Sequence, residues 1–179
     1  IGPLSHELVY GELSIPVLAT ILDAVGVEKG DKFLDIGSGD GALVLGACLL
    51  YPDHIQESRG VELVPGLVDR SNTHLRHLKA VLETQRPDAC TLLDRVKFMA
   101  GDVYQANKDP QLLSVLSETT LAVCFATTWS SSNNLESMKT SLDGRKLPKL
   151  SAALATLPQG ARIVIVDGKL NDRDGFRWE

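Results

Sequence analysis

The chain has 179 residues, 44% hydrophobic and 23% charged, enough apolar material for one domain with its own core and too little for two. Its longest near-continuous apolar stretch, residues 42–51, is far short of the ~20 residues of a membrane helix, so no membrane partner is expected. A net charge of −5 argues against a protein that grips nucleic acid through its own surface, because Lys and Arg drive phosphate binding, so no direct nucleic-acid partner is expected.

In chain order, Pro16 to Val25 repeats apolar residues at helical spacing, with Ser14 placed as a cap and Gly26 as a stop. Lys32 to Ile36 reads as a strand, and Leu43 to Tyr51, apolar almost all round, as a helix lying on a sheet. Arg59 to Val61 is the next strand. Pro65 to Leu82 is a helix whose inner face carries Leu67, Ser71, Leu75, Leu78 and Leu82, with Pro65 suited to the first turn. Val96 to Ala100, Leu121 to Phe125 and Arg162 to Val166 complete five strands, separated by helices at Pro110 to Leu116 and Leu147 to Leu157. Strands alternating with helices imply an α/β fold, a mostly parallel sheet with helices on both faces. Residues 1–179 form one unit: an N-terminal loop and helix (1–30) ahead of a Rossmann-like core (31–166).

Three cysteines, Cys48, Cys90 and Cys124, are widely spaced and odd in number. They supply neither a disulfide framework nor a metal pair and fit a reducing, intracellular compartment. His74 and His77 lie one turn apart without a third ligand at motif spacing and read as a solvated helix face. Residues 127–145 read as a loop at the ligand-binding edge or a plain connector.

The densest chemistry follows the first strand: Asp35-Ile36-Gly37-Ser38-Gly39-Asp40-Gly41-Ala42. Glycines there allow a tight turn and close approach of a ligand to the backbone. Gly37, Gly39 and Ala42 also satisfy the dinucleotide fingerprint, so a nicotinamide-dependent oxidoreductase is an alternative. Charge separates the two. Phe33 to Ser58 contains no Lys or Arg to meet a pyrophosphate, and it carries Asp35 and Asp40 near the turn. S-adenosyl-L-methionine lacks phosphate and carries a sulfonium and an ammonium group that carboxylates stabilise. Glu62, 27 residues after Asp35 at the end of the second strand, is positioned to accept from ribose hydroxyls. Asp102 and Val103 follow the third strand, a carboxylate for the adenine amino group beside an apolar residue for the ring. Each alone is also an ordinary strand-end residue.

Together these residues resemble those of class I S-adenosylmethionine-dependent methyltransferases. Val9-Tyr10-Gly11-Glu12-Leu13-Ser14, Phe33 to Gly41, Gly60-Val61-Glu62 and Gly101-Asp102-Val103, in that order, resemble the disruptor-of-telomeric-silencing family of histone lysine methyltransferases. The resemblance implies that the Tyr10 to Glu12 loop covers the cofactor, that Tyr10, Glu12, Asp35, Gly37, Ser38, Gly39, Gly41, Glu62, Asp102 and Val103 hold it, and that the substrate is a lysine-containing protein, with a histone as the family's example. A nuclear location follows if the substrate is a histone, and a cytoplasmic one otherwise. Tyr10, Phe125, Thr127 and Trp129 are the expected lysine channel, Tyr10, Thr127 and Trp129 being the catalytic candidates, with Phe125 more simply a core residue. Where the family has an Asn-Asn-Phe-type motif, this chain reads Cys124-Phe125-Ala126-Thr127-Thr128-Trp129. A cofactor-binding module without turnover and a methyltransferase acting on a non-histone protein therefore stand as alternatives.

Sheets of this class usually have seven strands. Five are found here, Phe176 to Glu179 could begin a sixth, and the chain opens on Ile1, so a trimmed domain or one without its terminal hairpin is expected.

Overall fold

The apolar runs pair as one all-parallel sheet. A computed structural model of the chain describes residues 13–126 and 145–178. It places β1 at Asp31–Ile36, β2 at Ile55–Glu62, β3 at Val96–Ala100, β4 at Leu121–Phe125 and β5 at Arg162–Val166, in the order β3-β2-β1-β4-β5. Helices α1 (Ile15–Val25), α2 (Ala42–Leu50), α3 (Pro65–Gln85), α4 (Pro87–Leu92), α5 (Pro110–Glu118) and α6 (Pro148–Leu154) join them. Among the described residues no helix is long and apolar enough to cross a membrane.

Period-two alternation decides which layer each side chain feeds. On β1, Phe33 packs with Leu18 and Leu22 of α1 and Leu43 of α2, whereas Leu34 and Ile36 face Leu112 and Leu116 of α5 and Leu150 of α6. On β4, Leu121 and Val123 join the first layer and Ala122 and Cys124 the second. Leu18, Leu22, Leu112, Leu116 and Leu150 are all completely buried, each contributing about 2 kcal/mol of transfer free energy. A third cluster seats Leu75, Leu78 and Leu82 of α3 over Val44, Cys48 and Val96.

Helix ends follow local chemistry. Pro16, Pro65 and Pro110 stand in first turns, where a missing N–H costs nothing. The Asp109 carboxylate accepts from the backbone N–H of Gln111 and Leu112 and caps α5. Ser14 occupies the cap position of α1 without a side-chain bond, and Gly26 closes that helix at φ 77°.

Three expectations need correction. β2 starts at Ile55, four residues before Arg59, because its polar side chains are satisfied laterally. The Arg59 guanidinium pairs with Glu57 and, at 2.9 Å, with Glu118, while Lys32 reaches Glu118 at 3.0 Å. These cations, Lys32 first, hold the Glu118 carboxyl down to about 2. Residues 176–178 form no strand; after β5 the described residues make a Lys146–Lys169 bridge and a short 3-10 turn at Asp172–Asp174. The helix expected over Leu147 to Leu157 is confined to Pro148–Leu154. α4 is an addition, invisible to periodicity in a six-residue segment.

Gly41 combines both reasons for a glycine. It starts α2 at φ 87°, and a Cβ there would lie 2.5 Å from the Phe98 ring and 3.0 Å from Ser71 Cβ. Gly41→Ala is expected to lower unfolding stability by about 1–3 kcal/mol in urea titrations; an unchanged midpoint would show that the loop relaxes freely.

Candidate functional site

The strand order reverses beside β1: β2 and β3 lie on one side of it, β4 and β5 on the other. Such switch points open a crevice at the carboxyl ends of the strands, where open α/β sheets take ligands. Residues 37–41 turn at that point. Gly37 and Gly39 hold φ at 80° and 54°, and the Gly37 and Ser38 N–H groups both donate to the Val61 carbonyl, at 2.8 and 3.1 Å.

Glu62, from the end of β2, fastens the turn. Its Oε2 accepts the Gly39 N–H at 3.0 Å and its Oε1 accepts the Val64 N–H at 2.9 Å. A carboxylate offers about four acceptor positions, so capacity remains after both bonds. Asp35, on the adjacent strand one residue before the end of β1, is 2% exposed and Glu62 is 8% exposed. Burial chiefly, and the nearby Glu62 charge secondarily, raise the Asp35 carboxyl to about 7.

Asp102 contributes from the end of β3. Its Oδ1 accepts the Tyr104 N–H at 2.9 Å and caps the 3-10 turn Val103–Lys108. Val103 is buried and joins the core with Val61 and Leu112. Ser38 is buried against β2, and a Cβ at Gly60 would sit 2.6 Å from its hydroxyl. The structure therefore gathers Asp35, Gly37, Ser38, Gly39, Gly41, Glu62, Asp102 and Val103 at one sheet edge. Tyr10, Glu12, Thr127 and Trp129 lie outside the described residues. Phe125 is half-buried and packs on the α1 side of the core, matching the simpler reading of it.

Two contributors escaped the sequence reading. The fully buried Ser71 hydroxyl lies 3.0 Å from the Gly39 carbonyl and 3.0 Å from that of Leu67, tying the turn to α3. Its only signal was a serine on an otherwise apolar helix face. Leu63, directly after Glu62, is 64% exposed, an apolar side chain at the rim of the crevice. Cys124 is completely buried, and burial first, then Asp35, push its thiol far up, so it is no nucleophile.

A second concavity, of about 300 Å³, lies at the opposite edge among Glu28, Asp31, Thr120 and Arg162. Its polar groups satisfy one another: Asp31 receives Arg162 at 2.5 Å, the Thr120 hydroxyl at 2.7 Å and the Glu28 N–H at 2.7 Å.

A parallel sheet in the order 3-2-1-4-5, a glycine turn at its switch point and acidic residues closing three successive strands define a class I S-adenosylmethionine-dependent methyltransferase fold. Solved structures share it. An RNA methyltransferase from Salinibacter ruber, in complex with S-adenosyl-L-homocysteine, superimposes with TM-score 0.56 at 21% identity, over 89% of this chain and 80% of that one. The rRNA methyltransferase aviRa from Streptomyces viridochromogenes gives 0.59 at 14%, over 87% and 74%. Precorrin 8w decarboxylase from Methanobacterium thermoautotrophicum gives 0.55 at 18%, over 88% and 64%. The family model of the histone methylation protein DOT1 matches residues 4–121, and the chain belongs to that family. No curated protein matches its sequence.

The buried Asp35 ties stability to pH. The unfolded carboxyl ionises near its ordinary 3.8, whereas the folded one keeps its proton to about 7. The folded state thus binds more protons across that window, and stability falls as pH rises through it. Asp35→Asn removes this titration. In urea titrations the variant should gain on the parent progressively between about pH 4 and 7 and hold a constant lead above; a lead independent of pH would contradict the account.

Proposed function

We propose that the chain binds S-adenosyl-L-methionine at the 37–41 turn and transfers its methyl group to a lysine amine of a protein, of histone type. The observation that carries this reading is the burial of Asp35 beside Glu62. Among the described residues, the forces acting on the Asp35 carboxyl are its own desolvation and the Glu62 charge, with no cation among them. A cationic ligand would relieve that repulsion, and a pyrophosphate would aggravate it.

The residues fit the cofactor by their donor set. Asp35 lies on the path of a positive charge, Glu62 keeps acceptor capacity for ribose hydroxyls, and the second oxygen of Asp102 is available for an amino group. Leu63 offers apolar surface at the rim for the adenine ring. When bound, the cofactor supplies an activated methyl on a sulfonium. The chain's share is to fix the crevice, through the Glu62–Gly39 and Ser71–Gly39 contacts, and to exclude water.

The family match supports the protein acceptor, with Tyr10, Thr127 and Trp129 as channel residues and Tyr10 and Glu12 closing over the cofactor. A lysine amine, near 10.4 in water, must be neutral to attack, and a narrow apolar channel favours the neutral form by penalising the charged one. A histone acceptor implies action in the nucleus.

Calorimetry tests the cofactor step: Asp35→Ala and Glu62→Ala should each weaken S-adenosylmethionine binding at least tenfold, the loss expected when a charged hydrogen-bonding partner worth about 1.5–3 kcal/mol is removed. Unchanged affinity in both variants would sink the assignment. Radiolabelled methyl transfer to histones, nucleosomes and whole-cell lysate tests the acceptor. Label recovered as methyl-lysine is the expected result, label recovered in RNA would move the acceptor to another class, and binding without any transfer would favour a non-catalytic module.

A further inference from the structure

Charge is unevenly spread along the chain. Residues 145–178 hold seven Lys and Arg against three Asp, in a protein whose net charge is −5. One of the seven, Arg162, belongs to the opposite edge and pairs with Asp31. The other six, Arg145, Lys146, Lys149, Lys169, Arg173 and Arg177, gather where β4 and β5 end.

The backbone explains the gathering. Lys146 and Lys169 are paired in a parallel bridge, with the Leu147 N–H on the Lys169 carbonyl at 3.0 Å and the Lys169 N–H on the Arg145 carbonyl at 2.8 Å. Lys149 stands in the first turn of α6. The 172–174 turn carrying Arg173 is tied to the same helix, through the Ser151 hydroxyl to Asp174 at 2.5 Å and the Asn171 N–H to Ser151 at 2.8 Å. Lys169 Nζ lies 5.6 Å from the centroid of the Trp178 ring, and Trp178 is 43% exposed.

Elsewhere Lys32, Arg59, Lys79, Arg86, Lys97 and Arg162 sit in ion pairs, and the cations without one among the described residues, such as Lys29 and Arg70, are scattered along the chain. Lys149, Arg173 and Arg177 are exposed and make no ion pair among the described residues. The carboxyl edge is therefore bipolar. Its β1–β3 half carries Asp35, Asp40, Glu62 and Asp102, and its β4–β5 half carries the six cations against Asp167, Asp172 and Asp174, with an exposed indole beside them.

We propose that this basic half is a docking surface for single-stranded nucleic acid, with phosphates on Lys149, Arg173 and Arg177 and an unpaired base on Trp178. Phosphates need clustered, uncommitted cations, and an aromatic side chain among them is a stacking platform for bases not already stacked in a duplex. An acidic peptide would use the cations and leave the indole idle. The acidic half repels the polyanion and confines it to the β4–β5 side. The proposal goes beyond the methyl-transfer reading and does not rest on it.

Fluorescence anisotropy of the full chain with a labelled oligouridine of about 12 nucleotides tests it. Saturable binding is expected, weakening with salt along a log–log slope of about −2, the value for three phosphate contacts to a single strand. K149E/R173E/R177E should weaken binding more than tenfold, W178A about fivefold or more, and W178F much less than W178A. K29E, at the opposite edge, should change nothing. Because W178F and W178A differ only in the ring, their comparison keeps the test sharp even if the triple variant folds poorly. Absence of binding at about 50 mM salt, equal affinity in W178A and parent, or equal competition by a polyglutamate peptide or a duplex would each overturn the proposal. Calorimetric titration with S-adenosylmethionine on the same preparations separates the two readings: oligonucleotide binding without cofactor binding removes the cofactor reading alone, and the converse removes this one alone.

Discussion

Two buried carboxylates forced together at the carboxyl edge of the sheet are the constraint around which this domain is arranged. Asp35 is the penultimate residue of β1 and Glu62 the last of β2, both buried, and parallel pairing of Asp35 with Gly60 and of Ile36 with Val61 brings them close. Burying like charges is costly unless something offsets them. Glu62 is stabilised by two backbone N–H groups, and Asp35 answers by holding its proton to about 7. An amide at position 35 is accordingly expected to be the more stable choice above about pH 7, and a residue that lowers stability fits a role in binding rather than in folding.

The same carboxylate builds the turn it serves. The Gly39 N–H needs a partner because the turn has left the β1 ladder and not yet entered α2, and Glu62 provides it. Ser71 lies hydrogen-bonded to the other side of the same residue, at its carbonyl. Gly39 is thus held from β2 and from α3 at once, and the left-handed glycines carry the chain between those anchors without Cβ strain. A ligand arriving at this edge meets a preformed cradle, so little ordering cost is left to the moment of binding.

How far the sequence revealed this depends on the range of each interaction. The five strands and their order of chemistry were legible, because alternation of Phe33, Leu34 and Ile36 and the Gly37–Gly41 cluster are local patterns. The extension of β2 back to Ile55 was not, since Gln56, Glu57 and Ser58 look like loop until Lys32 and Glu118, distant in sequence, neutralise Glu57 and Arg59. Ser71 was placed on the correct helix face and its partner missed, because a hydrogen bond across 32 residues leaves no trace in periodicity. Asp102 was read as a ligand residue, and the structure adds that one of its oxygens is already engaged in capping a turn.

Net charge was the least informative quantity, and the reason is geometric. A sum over 179 residues averages an acidic cradle with a basic rim, and only the fold shows that both lie on one edge. Short-range fields dominate here, because screening in physiological salt confines each half to roughly 8 Å. The β1–β3 half can therefore attract a cationic ligand while Lys149, Arg173 and Arg177, some strands away, attract a polyanion. A protein of net −5 is consequently able to hold groups of both signs on one sheet edge, because the 3-2-1-4-5 order puts the acidic strand ends on one side of the β1–β4 pair and the basic ones on the other.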